Sequence, residues 1–358
     1  MKICVYAICK NEEKNIPLWQ ESMSEADDIY VLDTGSTDNS VKLLKSLGVH
    51  VKKEVINPFR FDVARNKSLK MIKKKYDLYV CTDIDERFEK GWRKKLEEDY
   101  LKGVTRVRYL YNWSFDENGN PATTFYINKI HTKDYEWVHP VHEVLKPLSN
   151  EKEILIKGIT LNHYQDYKKS RSNYLPLLEL SVKEDPNDDR NLHYLGREYM
   201  YYHKYTKAIK TFHKHLKCKN ATWKDERCAS KRFMARCYLG LKYTEEAIFW
   251  YESAIKEAPY LRESYVELAN LYYNQKEYKK SIELLDKAFL IKEKSISYIN
   301  EDFAWNGFIY DLYSICAFYL NKKDIALDYS NKAISLSNDE RILKNNEIIK
   351  LRLHEEQV

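Results

Sequence analysis

The chain has 358 residues, 44% of them hydrophobic and 32% charged. That length exceeds one small core and suits two domains, and the composition is that of a folded chain rather than a disordered one. Sixty basic against fifty-four acidic residues leave +6, a mild excess that no long basic run concentrates, so nucleic acid is not an expected partner.

No apolar run approaches the roughly 18–20 residues of a membrane span. The opening MKICVYAICKNEE lacks the apolar region and small-residue cleavage site of a secretory signal and reads instead as a first strand. Seven cysteines, none spaced C-x-x-C, suit reduced, buried thiols in a reducing compartment, and the cytoplasm is the expected location.

Short β-rich runs follow one another in the first half: Lys2 to Ile8, Asp28 to Asp33 and Tyr76 to Asp83. Helical stretches, among them Asp38 to Leu47 and Asp62 to Lys75, separate them. Strand, helix, strand at this spacing predicts a mostly parallel α/β sheet covered by helices. Such sheets bind ligands beyond the carboxyl ends of their strands. The strand-end clusters CKNEE, DTGSTD and TDIDE should therefore meet at one crevice.

Asp83-Ile84-Asp85-Glu86 closes an apolar strand. Paired carboxylates there suit Mg²⁺ or Mn²⁺ bound together with a diphosphate, although a solvated acidic turn has the same composition. Asp33 ends the second strand, placed to accept hydrogen bonds from a nucleobase or ribose, while Gly35 permits a tight turn and Ser36 or Thr37 can cap the next helix. Capping alone would also explain that segment. Neither a dinucleotide nor a P-loop glycine pattern occurs. In Tyr135 to Glu143, aromatic and ionisable residues mix as in an acceptor-side wall. Glu143 is a candidate general base beside His142, and a structural ion pair is its alternative. Asp116 and Glu117 compete for the base role. H-P-V-H-E lacks the H-E-x-x-H spacing of a zinc protease.

From about Arg190 the pattern becomes continuously helical and repeats. Ala208, Ala247, Ser281 and Ala326 stand 39, 34 and 45 residues apart. Twelve residues before them lie Gly196, Ala235, Ala269 and Ser314, and seven after them His215, Ala254, Ala288 and Ala333. Small residues at fixed offsets let paired helices cross closely. The middle spacing equals the tetratricopeptide period. The expected organisation is an α/β domain over 1–165, a helical junction over 166–190 and tetratricopeptide-like repeats over 191–358.

Cys9 to Glu13, Val31 to Asp38, Ala64 to Leu69 and Asp83 to Glu86 together resemble glycosyltransferase family 2, nucleotide-sugar enzymes of the GT-A fold. Val141-His142-Glu143 and Leu161-Asn162-His163-Tyr164 are similar to markers of its bacterial branch that continues into tetratricopeptide repeats, including peptide glycosyltransferases that make glycopeptide bacteriocins. The resemblance implies that Ala7 to Cys9 and Asp33 hold uracil, with Asn11 and Glu12 in the same donor site. It further implies that Asp83 touches the ribose, Asp85 binds the metal with a catalytic role, Arg65 lies near the phosphates, and His163 is a further metal or phosphate ligand. The implied reaction is inverting transfer from a UDP-sugar. Stacked helix pairs suit a peptide or protein acceptor, modified on Ser, Thr or Cys. Transfer to a surface polysaccharide or lipid-linked sugar, with the repeats serving a homodimer, is the alternative. A non-catalytic scaffold with a vestigial site is the reading of another class.

Overall fold

In the computed structural model the chain forms two compact units, Met1–Glu184 with Ile296–Tyr298, and Asp185–Ser295 with Ile299–Val358. The structure describes residues 1–116, 118–165 and 174–355. Glu117, one of the competing bases, and the first part of the expected junction (166–173) lie outside the described residues.

The first unit runs β1 (Ile3–Cys9), α1 (Ile16–Met23), β2 (Asp28–Asp33), α2 (Ser40–Ser46), β3 (His50–Lys53), α3 (Phe61–Met71) and β4 (Leu78–Cys81). It continues through β5 (Glu86–Phe88), α4 (Trp92–Asp99), β6 (Arg106–Phe115), β7 (Pro121–His131), β8 (Tyr135–Val138), β9 (Val144–Pro147), β10 (Glu153–His163) and α5 (Tyr174–Glu184). An eight-stranded sheet has the order β3-β2-β1-β4-β7-β6-β10-β5, and β8 and β9 form a separate hairpin. β1 to β4 are mutually parallel, β7 is antiparallel to both its neighbours, and β10 is parallel to β6 but antiparallel to β5.

The unbroken apolar run of β1 follows from burial on both faces. Ile3, Val5 and Ala7 point into one core with Trp19 of α1, Leu44 of α2 and Trp92 and Leu96 of α4. Cys4 and Tyr6 point the other way, toward Leu69 of α3, Tyr79, and Tyr135, Trp137 and Leu145 of the hairpin. Each such fully buried large side chain contributes roughly 1.5–3 kcal/mol. The second core also holds a polar chain. Trp137 Nε1–H donates to Tyr6 Oη at 2.8 Å, and Tyr6 Oη lies 2.8 Å from His131 Nε2, whose Nδ1 faces the Thr132 carbonyl. A neutral His131, protonated at Nδ1, satisfies every member. Burial accordingly pushes its pKa down to about 3, and the chain anchors the hairpin to the sheet.

The second unit contains α6 (Asp189–Tyr201), α7 (Tyr205–Lys217), α8 (Lys224–Gly240), α9 (Thr244–Glu257), α10 (Arg262–Asn274), α11 (Tyr278–Leu290), α12 (Gly307–Tyr319), α13 (Lys323–Ser335) and α14 (Glu340–Glu355). Helices α6 to α13 form consecutive pairs, so this is a helical-repeat region. All twelve positions of the sequence repeat are buried. A Cβ on Gly196 would sit 2.6 Å from the Phe212 ring, so α6 and α7 cross where only glycine fits.

Each pair turns through one left-handed residue: His203, Lys242, Lys276 and Asn321, with φ between +55° and +65°. The next residue's N–H closes the turn onto the last helical carbonyls (Lys204 to Tyr199, Tyr243 to Tyr238, Glu277 to Tyr272, Lys322 to Ala317, each 2.8–2.9 Å), which is the Schellman pattern. None of these residues is glycine, so the turns carried no glycine signal in the sequence.

Candidate functional site

The sheet brings the expected clusters to one edge. Cys9 at the end of β1 lies opposite Asp33 at the end of β2, and Tyr6 lies opposite Cys81 at the end of β4. The loops after β1 and β2 are clasped together. Asn11 N–H donates to Ser36 Oγ (2.9 Å), Asn11 Oδ1 accepts from Thr37 N–H (2.8 Å), and Thr34 N–H and Oγ1 both donate to the Cys9 carbonyl. Asn11 reaches this clasp at φ +57°, a conformation that costs a non-glycine residue roughly 1–2 kcal/mol.

Asp33 is 1% exposed. Its Oδ1 accepts the N–H groups of Gly35 (3.2 Å) and Ser36 (3.1 Å), and Gly35 makes the turn at φ +117°. Its Oδ2 is buried with no hydrogen-bond partner among the described residues. A buried carboxylate oxygen left this way is costly unless a ligand donor meets it. Ala7 is fully buried, and its carbonyl accepts from Ser68 Oγ (3.0 Å). Glu12 serves the start of α1: its N–H donates to Ser40 Oγ and its Oε2 accepts from Asn15 Nδ2.

The acidic loop after β4 divides its carboxylates by direction. Asp83 and Glu86 turn toward cations. Asp83 Oδ1 accepts from Arg65 Nη2 (2.7 Å) and its Oδ2 from Lys129 Nζ (3.2 Å). Glu86, fully buried, accepts from Tyr111 Oη (2.8 Å), Lys129 Nζ (2.9 Å) and the Asp83 N–H (2.8 Å). Burial works to raise the Asp83 carboxyl, but Arg65 and Lys129 outweigh it and hold it below the usual range. At Glu86 burial wins, with Asp83 adding to it against Lys129, and the carboxyl is raised.

Asp85 faces elsewhere. The last residue of β10, His163, is paired with Glu86 in the β10–β5 ladder, and Tyr164 N–H donates to the Asp85 carbonyl (2.8 Å). This register sets His163 Nε2 3.6 Å from Asp85 Oδ2. His163 Nδ1 lies 3.2 Å from the Trp113 carbonyl, so Nδ1–H can donate there and leave the Nε2 lone pair directed at Asp85. Burial would lower the imidazole pKa, but Asp85, through hydrogen bonding and charge, raises it. A carboxylate and an oriented imidazole at this separation fit a divalent cation placed between them. Beside them a cleft of about 290 Å³ is lined by Trp113, Ser114, Phe115, His163, Tyr164 and Gln165.

Arg65, expected near phosphates, is 3% exposed and committed to protein groups. It donates to Asp83, to Glu143 Oε1 and to Cys81 Sγ (3.2 Å), with its guanidinium 5.1 Å from the centre of the Trp137 ring. Burial opposes its charge, yet Asp83 foremost among its neighbours keeps its pKa raised. Arg65 therefore locks the acidic loop to the 139–143 segment that follows the β8 strand. Glu143 is an ion-pair partner in this arrangement, and His142 neighbours it at φ +51°, with its ring 5.9 Å from that of Tyr174. Asp116 stands apart, closing its own turn on Asn118 and Asn120.

Lys129 was missed from the sequence. It stands in the apolar run of β7, and a lysine inside such a strand was the available signal. Its pKa is raised because Asp83 and Glu86 outweigh burial. Trp113 was missed too, because its role rests on a backbone carbonyl.

Residues 4–155 match the family model Glycosyl transferase family 2, and 233–260 and 263–295 match Tetratricopeptide repeat. The first match contains every expected site residue except His163. No curated protein matches the chain. Solved structures similar to it include MamA (21% identity, covering 45% of this chain and 79% of that one, TM-score 0.35). Pseudomonas aeruginosa pilF (15%, 49% and 72%, 0.40) and a thermophilic tetratricopeptide repeat protein of Thermus thermophilus (17%, 49% and 89%, 0.37) are others. Among the described residues no helix is long and apolar enough to cross a membrane. The chain thus carries a glycosyl transferase family 2 domain, the domain of a glycosyltransferase, followed by tetratricopeptide repeats.

Proposed function

We propose that this protein is an inverting, metal-dependent glycosyltransferase that moves a hexose or N-acetylhexosamine from a UDP-sugar to a Ser, Thr or Cys side chain of a peptide or protein. The observation that carries this reading is Asp33 Oδ2, buried without a hydrogen-bond partner among the described residues at the strand edge that also bears Asp85 and His163. A pyrimidine N–H is a donor suited to that oxygen, and the clasped loops after β1 and β2 would hold the base beside it. Asp85 and His163 would hold Mg²⁺ or Mn²⁺. When bound, the ion supplies neutralisation of the charge gathering on the departing diphosphate. Asp83, fixed by Arg65 and Lys129, presents a permanently ionised carboxylate toward the ribose.

In the reaction the anomeric C–O bond to the diphosphate breaks as a bond from the acceptor oxygen or sulfur forms on the opposite face. Glu143, oriented by Arg65, takes the acceptor's proton, with His142 in the same loop. The repeats favour a polypeptide acceptor over a polysaccharide, because stacked helix pairs recognise extended chains and protein surfaces. Intact-mass measurement of candidate peptides after incubation with a panel of UDP-sugars and Mn²⁺ tests the reading. A gain of one hexose or one acetylhexosamine is expected. Absence of both transfer and UDP-sugar binding would return the chain to a scaffold role.

A further inference from the structure

His215 breaks the repeat. It occupies the slot filled by Ala254, Ala288 and Ala333 in the other pairs, and like them it is fully buried. Its Nδ1 lies 2.9 Å from Ser230 Oγ, and the same hydroxyl lies 2.7 Å from Nδ1 of His193, also fully buried. On the other side of the ring, His215 Nε2 is 3.3 Å from Glu226 Oε1, outside hydrogen-bond geometry. Donor atoms of Asp189, His215 and Glu226 all lie within 4.8 Å of one another. They come from the first turn of α6, the last turn of α7 and the first turn of α8.

Proton counting shows that no neutral arrangement satisfies every member of this cluster. The Ser230 hydroxyl has one proton to offer to two Nδ1 atoms. If it goes to His215, the buried Nε2 lone pair of His193 has no donor. If it goes to His193, an uncharged His215 turns its Nε2 lone pair toward the Glu226 carboxylate, and two acceptors face each other. The second carboxylate adds to the imbalance, because oxygens of Asp189 and Glu226 lie within 4.8 Å of each other. A cation among the three donor atoms would remove the second conflict, leaving His215 Nδ1–H to donate to Ser230 and Ser230 to donate to His193, and Asp189, half-buried, leaves it a way in.

We infer that Asp189, His215 and Glu226 form a divalent transition-metal site that ties α6, α7 and α8 together at the start of the repeats. One imidazole nitrogen with two carboxylate oxygens suits Zn²⁺ rather than the all-oxygen preference of Mg²⁺ or Ca²⁺. Three protein ligands leave a fourth position for water. The site is independent of sugar transfer and of the Asp85–His163 pair.

The test uses the full chain, stripped with a chelator and titrated with ZnCl₂ against a chromophoric competitor, with retained zinc counted by mass spectrometry. Asp189→Asn keeps size and exposure while removing a ligand charge. It should lose one zinc equivalent or bind it at least tenfold more weakly, whereas Asp85→Asn should keep that equivalent. His215→Gln should lose it as well; if that variant fails to fold, Asp189→Asn decides. Equal zinc binding by folded wild type and Asp189→Asn overturns the inference. So does loss of the only tight equivalent in Asp85→Asn. In either case His215 is a packing neighbour of Glu226 and nothing more.

Discussion

The sheet edge of the first unit and the arginine–glutamate network of the second treat buried charge differently. At the sheet edge Asp33 keeps one carboxylate oxygen without a hydrogen-bond donor among the described residues, and the Asp85 carboxylate stands 3.6 Å from the His163 imidazole. In the repeats, Arg236 donates to both Glu267 and Glu301, and Arg232 joins them through Glu301. Polar groups in the first case are arranged for something that arrives. In the second, cations and carboxylates chiefly meet one another, with Arg232 Nε and Glu267 Oε2 3.6 Å apart and outside hydrogen-bond geometry, and removing one partner would strand another charge in the interior. An unmet oxygen at the carboxyl ends of parallel strands, where such sheets bind ligands, is thus a better pointer to a ligand than a dense ion-pair network.

If that contrast holds, the largest effect of any substitution falls on Asp85. Asp85→Ala should lower transfer by about a thousandfold or more, the scale of losing charge stabilisation on a leaving group, with an unchanged circular-dichroism spectrum. Wild-type turnover in the folded variant would sink the assignment. Asp33→Asn keeps the turn contacts of Oδ1 but places an amide where the free oxygen was. Donor KM should rise by roughly 10- to 100-fold, the size of one lost buried hydrogen bond to a charged group, with kcat changing less. Steady-state kinetics in UDP-sugar separates the two constants.

Effects on stability are smaller and divide by unit. Gly196→Ala drives a methyl into the Phe212 ring and should cost about 1–3 kcal/mol, measured by denaturant unfolding. Acid acts on the first unit through His131. Its folded pKa lies near 3, below the unfolded value of 6.5, so the unfolded chain takes up a proton first as pH falls. That contribution to stability is complete above about pH 6.5 and is lost toward pH 3, at about 1.4 kcal/mol per pH unit within the window. His131→Gln should flatten this slope even if it lowers stability at neutral pH. Least of all, Lys276→Gly should stabilise the repeats by up to about 1 kcal/mol, because φ +62° suits glycine better than lysine.

Much of this was legible in the residues. The runs ending at Ile8, Asp33 and Asp83 predict a parallel edge because they are short, largely apolar and stop at polar clusters, and the offsets around Ala208, Ala247, Ser281 and Ala326 predict the paired helices. What stayed hidden depends on long-range register. Only the β10–β5 ladder reveals that His163 stands beside Asp85. Only the packing of α3 under the sheet reveals that Arg65 spends its donors on Asp83, Glu143 and Cys81 rather than on open phosphate space. His215 was visible as the one large residue in a small-residue slot, but its meaning needed Ser230, Glu226 and Asp189, which are remote along the chain or carried by other helices.

The placement of β10 has a temporal side. It slots between β6 and β5, strands separated from it by dozens of residues, so the central sheet has an interior gap until this segment arrives. During synthesis the nascent chain can assemble the β1–β4 edge early, while long-range closure comes late and slowly. His163 is the final residue of that late strand. Until it docks, Asp85 has no imidazole beside it, and the pair forms only when the sheet closes.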